Sequence, residues 1–416
     1  MSEQVPEGWE IKCLSSACEK IWIGLVTTMT KFYVEKGVPL IRNSDIKESG
    51  INSSKLIHLD SEFAERNSSR VVLTNDVVTV HTGDVGTSAV IIEELSGAHG
   101  FATLNSRLDD RKVNPNYYCS ILNSEYFKRQ AKKIVTGDGR DNLNLKDFVK
   151  LLIPLPPLPE QKKIASILTS VDEVIEKTQS QIDKLQDLKK GTMNELLTKG
   201  IGHTEFKDSE LGRIPKSWEV CALGEIGEFK NGVNKPKDAF GSGTKFVNIS
   251  DAYPVDLDCR SLGRLEVTAQ ELVNYNLEVG DLVFVRSSVK LEGVAIPTIF
   301  KGFEEPVIFC GFMIRFRSRS TKVLPEFLRE YLLTDEPRIL IQRVATGGAN
   351  ININQEALSA FKVLLPTKDE QEYIVRKTNF ANSQIAQLTL KCEKFQSLKK
   401  SLMQDLLTGK VRVSVN

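Results

Sequence analysis

The chain has 416 residues, of which 41% are hydrophobic and 26% charged, and these values are ordinary for a globular protein. They exclude a fully disordered chain, a collagen-like chain and a disulfide-stapled mini-protein. Lysine and arginine (55) almost balance aspartate and glutamate (54), so the net charge of +1 excludes a wholesale polycation but not local basic patches. The sequence has no apolar run of transmembrane length and no signal-peptide pattern, which predicts a cytoplasmic protein without a membrane partner.

The cysteines and histidines argue against a metal site. The seven cysteines include no C-x-x-C pair, and the four histidines are scattered along the chain. We therefore expect reduced, mostly buried thiols and no bound metal.

Short β-rich runs between turn residues dominate residues 1–153. The clearest strand candidates are 71–73, 76–80 and 89–92. A proline-rich segment, Pro154 to Pro159, follows and predicts a boundary at which strand and helix both stop.

A long helix is predicted from Glu160 to about Lys199, with a length of roughly 60 Å at about 1.5 Å per residue. Apolar side chains recur at alternating spacings of four and three residues, which favours a coiled coil over a lone surface helix. The predicted seam consists of Ile164, Leu168, Val171, Ile175, Thr178, Ile182 and Leu185.

The second half of the chain repeats this order of elements. Strand-like runs lie at 282–285 and 306–316, Pro366 marks the boundary, and a second helix is predicted from about Lys368 to Thr408. The seam of that helix consists of Ile374, Thr378, Ala381, Ile385, Leu388, Cys392 and Phe395.

A constant offset shows that the chain is duplicated. Glu160-Gln161 recurs as Glu370-Gln371, and Leu196-Leu197-Thr198 recurs as Leu406-Leu407-Thr408, each 210 residues later. The ends of the two halves agree while their middles diverge, which suggests one scaffold with two different recognition surfaces.

These features predict two tandem α/β (α+β) domains and two long helices that pair as an intramolecular antiparallel coiled coil with pseudo-twofold symmetry. The alternative for the helices is homodimerisation. The predicted boundaries are 1–153 for the first domain, 154–208 for the first helical spacer, 209–365 for the second domain and 366–416 for the second spacer.

Each repeat begins with a tryptophan in a Pro-x-x-Trp-Glu frame. Trp9 and Trp218 are 209 residues apart. This fixed place favours packing that closes each domain, and the alternative is stacking on nucleic-acid bases.

The chain resembles the specificity (S) subunit of type I restriction-modification systems. The resemblance is carried by 152–165, with its proline turn and Glu160-Gln161 helix start, by 196–200 with 206–219, and by the tandem repeat itself. The resemblance implies that each variable part is a target-recognition domain for one half of a split double-stranded DNA sequence, and that the helices set the spacing. It further implies that two methyltransferase (M) subunits and translocase-nuclease restriction (R) subunits assemble on the chain. S-adenosylmethionine, ATP and Mg would then belong to the partners.

Catalytic motifs are missing, in agreement with a non-catalytic reader without cofactors. The nearest match to an amino-methyltransferase motif, Asn114-Pro115-Asn116-Tyr117, lacks the second proline, and no P-loop is present. Phe240 to Gly243 is interpreted as a flexible loop. The runner-up hypothesis is a coiled-coil scaffold that assembles proteins without reading DNA.

DNA readout requires polar and cationic side chains on loops and strand ends that can reach base edges. Each candidate taken alone could equally be an ordinary surface group. In the first domain the candidates are Lys31, Tyr33, Arg42, Asn43, Asp45, His81, Thr82, Asp84 and Arg140. In the second domain they are Lys235, Lys237, Asn248, Ser250, Asp251, Arg286, Ser287, Ser288, Lys290 and Asn350.

Two basic clusters complete the set. Arg315, Arg317 and Arg319 alternate along a predicted strand and would share one face, where they could follow phosphates or form a solvated outer surface. Lys128 to Lys133 is predicted to be helical, with the same two interpretations.

Overall fold

The computed structural model describes residues 5–135, 141–252, 257–347 and 350–415. Residue contacts divide the chain into two compact units, 1–180 with 388–416 and 181–387, and each unit is described by itself. In the described ranges, no helix combines the length and the apolar character needed to cross a membrane.

The first unit contains a complete α/β domain. Its elements, in chain order, are β1 (Glu10–Cys13), α1 (Leu14–Ala17), β2 (Cys18–Ile23), β3 (Tyr33–Val34), β4 (Val38–Arg42), β5 (Ile46–Lys47), β6 (Gly50–Ile51), β7 (Ile57–Leu59), α2 (Ser61–Arg66), β8 (Val77–Val80), β9 (Ser88–Val90), β10 (His99–Phe101), β11 (Thr103–Leu108), α3 (Pro115–Leu122), α4 (Glu125–Ile134), α5 (Leu145–Phe148), β12 (Leu152–Leu155) and the start of α6 (Leu158–Lys199).

Two sheets and a helical layer build this domain. The larger sheet has the order β2-β11-β8-β9 and is antiparallel, whereas the smaller sheet, β10-β4-β7-β3, includes a parallel pair, β10 and β4. On one face of the larger sheet, Val77 and Leu104 share a buried core with Tyr117 of α3. On its other face, Val78 clusters with Ile41 of the smaller sheet. The larger sheet is therefore covered on both faces, as its alternating buried residues require.

The second unit repeats this plan. Its elements are β13 (Phe206–Ser209), β14 (Gly212–Pro215), β15 (Glu219–Ala222), α7 (Leu223–Ile226), β16 (Gly227–Asn231), β17 (Phe240–Val247), β18 (Arg264–Leu265), α8 (Ala269–Tyr275), β19 (Leu282–Val285), β20 (Ser287–Ser288), β21 (Pro297–Ile299), β22 (Val307–Phe309), β23 (Met313–Ser318), α9 (Pro325–Leu332), α10 (Asp335–Val344), β24 (Thr346–Gly347), β25 (Ile351–Asn352), α11 (Gln355–Ala360), β26 (Lys362–Leu365) and the start of α12 (Lys368–Leu407).

Comparing the two units element by element confirms the duplication. The larger sheet of the second unit has the order β16-β23-β19-β21, with the same connectivity as its counterpart. The helices α9 and α10 begin and end 210 residues after α3 and α4. In both units the strand before the long helix pairs antiparallel with the first strand of the domain, β1 with β12 and β15 with β26.

The bounds of the two long helices lie within two residues of those predicted, and the helices pack antiparallel within each unit. In the first unit, Lys399 Nζ lies 2.6 Å from Asp172 Oδ1. In the second, Lys189 Nζ donates to Asn382 Oδ1 at 2.8 Å, and Thr378 Oγ1 donates to Met193 Sδ at 3.0 Å. Residue numbers fall along one helix as they rise along the other, which is the antiparallel arrangement.

The residues of the predicted seam differ in burial along the helices. Seven of the fourteen are buried and seven are half-buried. The buried members are Ile164, Leu168, Thr178, Ile182, Ile374, Thr378 and Cys392. The half-buried members are Val171, Ile175, Leu185, Ala381, Ile385, Leu388 and Phe395.

A buried glutamine joins each long helix to its domain. Gln161 Nε2 donates to the carbonyls of Lys112 and Pro156 at 2.9 and 2.8 Å, and its Oε1 accepts from Asn114 N at 2.9 Å. Gln371 repeats all three bonds 210 residues later. Because the side chain satisfies one backbone donor and two acceptors, it fixes the angle at which the helix leaves the domain.

A buried glutamate beside each glutamine holds the opening tryptophan. Trp9 Nε1 donates to Glu160 at 3.1 Å, and Arg412 contributes two bonds to the same carboxylate at 2.7 and 2.9 Å. Trp218 donates to Glu370 at 2.9 Å in the second unit, where His203 takes the place of the arginine. Both tryptophans are buried, which confirms the packing interpretation.

The ionised carboxylate of Glu160 is expected to make the stability of the first unit sensitive to acid. Burial opposes its ionisation, but the bonds from Arg412 and Trp9 outweigh burial and lower its pKa. A carboxylate with a lowered folded-state pKa stabilises the fold above its unfolded pKa of about 4.3, and this stabilisation is lost as the pH falls through the folded value. We expect melting temperatures of Glu160→Gln to fall less steeply on acidification than those of the wild type.

The matched control is Glu173→Gln on the same helix, because Glu173 is 60% exposed. Its melting temperature should follow the wild-type pH profile. A Glu160→Gln profile that also parallels the wild type would contradict the assignment.

Several local predictions were wrong. Residues 71–73 form no strand beyond a bridge at Val71, and the run 306–316 is two strands, β22 and β23, interrupted by a turn. Phe240 to Gly243 belongs to β17, with a shift of register against β18, and is not a loop. Pro154 does not stop a strand but lies within β12 opposite Ile11, since a two-stranded ribbon leaves one edge unpaired.

Candidate nucleic-acid interface

The central strands, β8 in the first domain and β19 in the second, are each followed by a loop that occupies the same place in both domains. The backbone carbonyl of His81 accepts from Leu143 N at 2.9 Å, and that of Arg286 accepts from Ile353 N at 3.0 Å. The next residue pairs in both cases with an asparagine, Thr82 with Asn142 and Ser287 with Asn352. In each domain the fold thus brings together two segments that are distant in the sequence. One is the loop after β8 or β19, and the other is the segment that follows the glycine-rich stretch at 136–140 or at 346–350.

Asn43 serves the scaffold of the first domain. Its Oδ1 accepts from His81 N at 2.9 Å, and its Nδ2 donates to Ala102 O at 3.2 Å. In the second domain, Arg286 N donates directly to Phe312 O at 2.8 Å, and Phe312 is the counterpart of Ala102. In the first domain, the amide of Asn43 therefore bridges the two backbone groups that bond directly to each other in the second domain. Both of its polar atoms are bonded to the backbone.

A chain of hydrogen bonds orients the imidazole of His81. Its Nδ1 lies 2.8 Å from Thr82 Oγ1, which donates to Asn142 Oδ1 at 2.6 Å. Burial lowers the pKa of His81, so the ring is favoured in its neutral form. Asn142 was not among the predicted site residues, although its recurrence as Asn352 at the offset of 210 was a signal for its role.

Two of the predicted aspartates close tight turns. Asp45, which is buried, accepts from Arg42 N at 2.9 Å and receives two further bonds from the Arg42 guanidinium at 2.9 and 2.8 Å. Asp251 accepts from Asn248 N at 2.9 Å, and Asn248 Oδ1 accepts from Ile249 N at 2.8 Å. The same turn thus occurs in both domains. The first domain has Arg42 at the start of the turn, and the second has the uncharged Asn248.

The predicted lysines lie beside small helices of each domain. Lys31 Nζ lies 5.0 Å from the centroid of the Phe32 ring, which stacks on Phe63 of α2. Lys235 Nζ lies 2.8 Å from Glu271 of α8. The structure thus associates both lysines with these helices.

The other candidates have varied surroundings. Asp84 accepts from Thr87 Oγ1 at 2.9 Å, and the buried Ser288 accepts from Lys290 N at 3.2 Å. Half-buried or exposed positions belong to Tyr33, Lys237, Ser250, Ser287, Lys290 and Asn350. Arg140 lies outside the described residues.

Arg315 and Arg317 of β23, with Arg319 directly after it, do not form one exposed basic face. Arg315 is buried, and Arg317 is bound by Asp281 through two bonds at 2.8 and 2.7 Å, so only Arg319 is fully exposed. Arg107 and Asp76 form the same pair in the first domain at 2.9 and 2.7 Å. The expectation that the three arginines share one accessible face was wrong, because Arg315 is buried and Asp281 binds Arg317.

Lys128, Arg129, Lys132 and Lys133 lie on α4, as the helical prediction required.

Within the described ranges, no group of three or more histidine, cysteine, aspartate or glutamate side chains is placed to hold a metal ion. The cysteines are all unpaired, with three buried and four half-buried, so fewer thiols are buried than predicted.

Both halves of the chain match one protein family. The type I restriction modification DNA specificity domain matches residues 6–187 and again residues 215–380. The chain belongs to this family. The two matches cover both duplicated domains and the beginnings of both long helices, so the whole repeated plan is characteristic of the type I specificity family.

Individual relatives agree along their full length. The chain is 27% identical over 419 residues to the type I restriction enzyme MjaVIII specificity subunit of Methanocaldococcus jannaschii, covering 99% of this chain and 94% of the relative. It is 22% identical to the StySPI specificity subunit of Salmonella potsdam, covering 98% and 90%. The crystal structure of the type I restriction-modification S subunit from M. genitalium has the same fold, with a TM-score of 0.60, 13% identity and coverage of 98% and 97%.

Proposed function

We propose that this chain is the DNA sequence-specificity subunit of a type I restriction-modification complex and that each recognition domain reads one half of a bipartite target. One observation carries the proposal. The two domains share their sheet order, their buried Arg–Asp pair and their helix junction, yet they present different side chains at the same strand ends. A duplicated scaffold with divergent loops suits the reading of two different sequences.

The helices set the distance between the half-sites and dock two methyltransferase subunits, and the restriction subunits join this assembly. α6 has 42 residues and α12 has 40, and each is anchored to a domain by a buried glutamine. Methyl transfer and ATP-driven cleavage belong to the partners, so S-adenosylmethionine, ATP and Mg bind there, and this chain has neither catalytic residues nor a cofactor. It acts in the cytoplasm.

Within each domain, the DNA-facing surface centres on the loop after the central strand. His81 and Thr82 form it in the first domain, and Arg286, Ser287 and Asn350 form it in the second. Asn43, Asp45 and Asp251 support the surface from behind, since their polar atoms close turns or bridge backbone groups.

The balanced charge predicts weak DNA binding by the isolated chain. Non-specific affinity comes mainly from cations that neutralise phosphates, and a net charge of +1 leaves few of them unbalanced. At physiological salt, a fluorescence anisotropy titration of the lone chain with random duplex DNA should give a Kd of about 10⁻⁵ M or weaker, and the affinity should rise when methyltransferase subunits are added. Tight binding of random DNA by the lone chain would contradict this division of labour.

A methylome tests the proposed function. The chain would be co-expressed with its methyltransferase subunit in a methylation-free host, with a control that lacks the chain. We expect modification at a single split motif only when the chain is present. No chain-dependent modification from a purified, soluble complex would favour the alternative, a scaffold that assembles proteins without reading DNA.

A further inference from the structure

One position after the central strand carries different chemistry in the two domains. His81 and Arg286 are equivalent by their backbone bonds to Leu143 and Ile353, which are themselves 210 residues apart. Both side chains are half-buried. The scaffold at this position is the same in both domains, whereas the group that it presents is different.

Hydrogen bonding settles which nitrogen of His81 holds the proton. The Thr82 hydroxyl has one proton and donates it to Asn142 Oδ1, which can only accept. Thr82 Oγ1 therefore accepts from His81, and Nδ1 must be the protonated nitrogen. In the neutral ring, Nε2 then offers a lone pair. The lowered pKa of His81 supports this neutral form.

Arg286 offers the opposite chemistry. Its guanidinium has five N–H donors and no acceptor. Its backbone N and O are engaged by Phe312 and Ile353. Among the described residues, no ion pair or hydrogen bond of the guanidinium is found, in contrast to Arg317 on the neighbouring strand. The backbone of Arg286 is thus fixed, and its guanidinium donors have no bonded partner among the described residues.

We propose that His81 and Arg286 are specificity-determining residues of the two half-sites. His81 Nε2 accepts from an exocyclic amino group in the major groove, on adenine N6 or cytosine N4. Arg286 donates to guanine O6 and N7. This inference rests on the proposed function and adds to it one base contact in each half-site, with opposite hydrogen-bond polarity.

The test compares methylomes of the assembled methyltransferase complex carrying His81→Arg or Arg286→His. His58→Arg and Arg319→His are the matched controls, because His58 lies on β7 and Arg319, directly after β23, is 72% exposed. We expect His81→Arg to change base preference about 10-fold at one position of one half-site, and Arg286→His to do so in the other half-site only. Both controls should keep the wild-type motif.

Unchanged preference in both variants, or changes confined to the same half-site, would overturn the inference. If His81→Arg abolishes modification, Thr82→Val serves instead. This variant removes the acceptor for Nδ1–H, frees the tautomer and should relax discrimination at the same base. Unrelaxed discrimination would overturn the role of His81. A wild-type complex without chain-dependent bipartite modification would instead refute the proposed function, and this inference with it.

Discussion

Replacing Arg317 with alanine is expected to destabilise the second domain by about 3–5 kcal/mol, because it leaves the buried carboxylate of Asp281 without its cationic partner. Asp281 is 1% exposed and accepts from Glu278 N at 2.8 Å in addition to the two bonds from Arg317. Removal of the guanidinium leaves the charge of Asp281 without its main partner. Denaturant unfolding of the full chain, with hydrogen exchange to locate the effect in β19 and β23, measures the loss.

The residue directly after this strand supplies the control. Arg319 is 72% exposed and pairs with Glu228, so Arg319→Ala should cost less than about 1 kcal/mol. Replacing both members of the buried pair, with Arg317→Met and Asp281→Leu together, should recover much of the lost stability, since no unpaired charge remains. Equal effects of Arg317→Ala and Arg319→Ala would show that the buried pair is not a constraint on the fold.

Removing one heptad from both long helices is expected to shorten the spacing between the half-sites and to leave their bases unchanged. Seven helical residues span about 10.5 Å, which corresponds to roughly three base pairs at about 3.4 Å each. Deleting 172–178 together with 393–399 removes facing segments, including both partners of the Lys399–Asp172 pair. The alternation of four and three residues along each seam is preserved.

A methylome of the shortened chain with its methyltransferase measures this effect. Deletion of 172–178 alone is the control, because it shifts one helix against the other and should prevent assembly of a soluble complex. An unchanged spacer length in the double deletion would refute the proposal that the helices set the spacing. Altered half-site bases would show that the helices also position the recognition loops.

Much of the fold could be predicted from local patterns. The bounds of α6 and α12 follow from heptad periodicity, a property of each helix by itself. The duplication follows from a constant offset, which a single sequence displays without any contact. Strand predictions were weaker, because a short apolar run such as 71–73 reads alike whether or not a partner strand lies beside it.

The candidate site was harder to predict, because the sequence shows which polar residues occupy the loops but not what they contact. Asn43 reaches Ala102 across 59 positions, and Arg317 reaches Asp281 across 36. Such partners meet only after the sheets have formed. These contacts place the amide of Asn43 between two backbone groups and pair Arg317 with the buried Asp281.

By itself, the sequence determined the duplicated plan, the paired helices and the family, because periodicity and repetition are properties of the order of residues. Only the tertiary structure decided which polar side chains are bonded within the scaffold and which, like the guanidinium of Arg286, have no bonded partner among the described residues. That distinction depends on non-local hydrogen bonds, since a side chain already satisfied inside the fold has no donor or acceptor left for DNA.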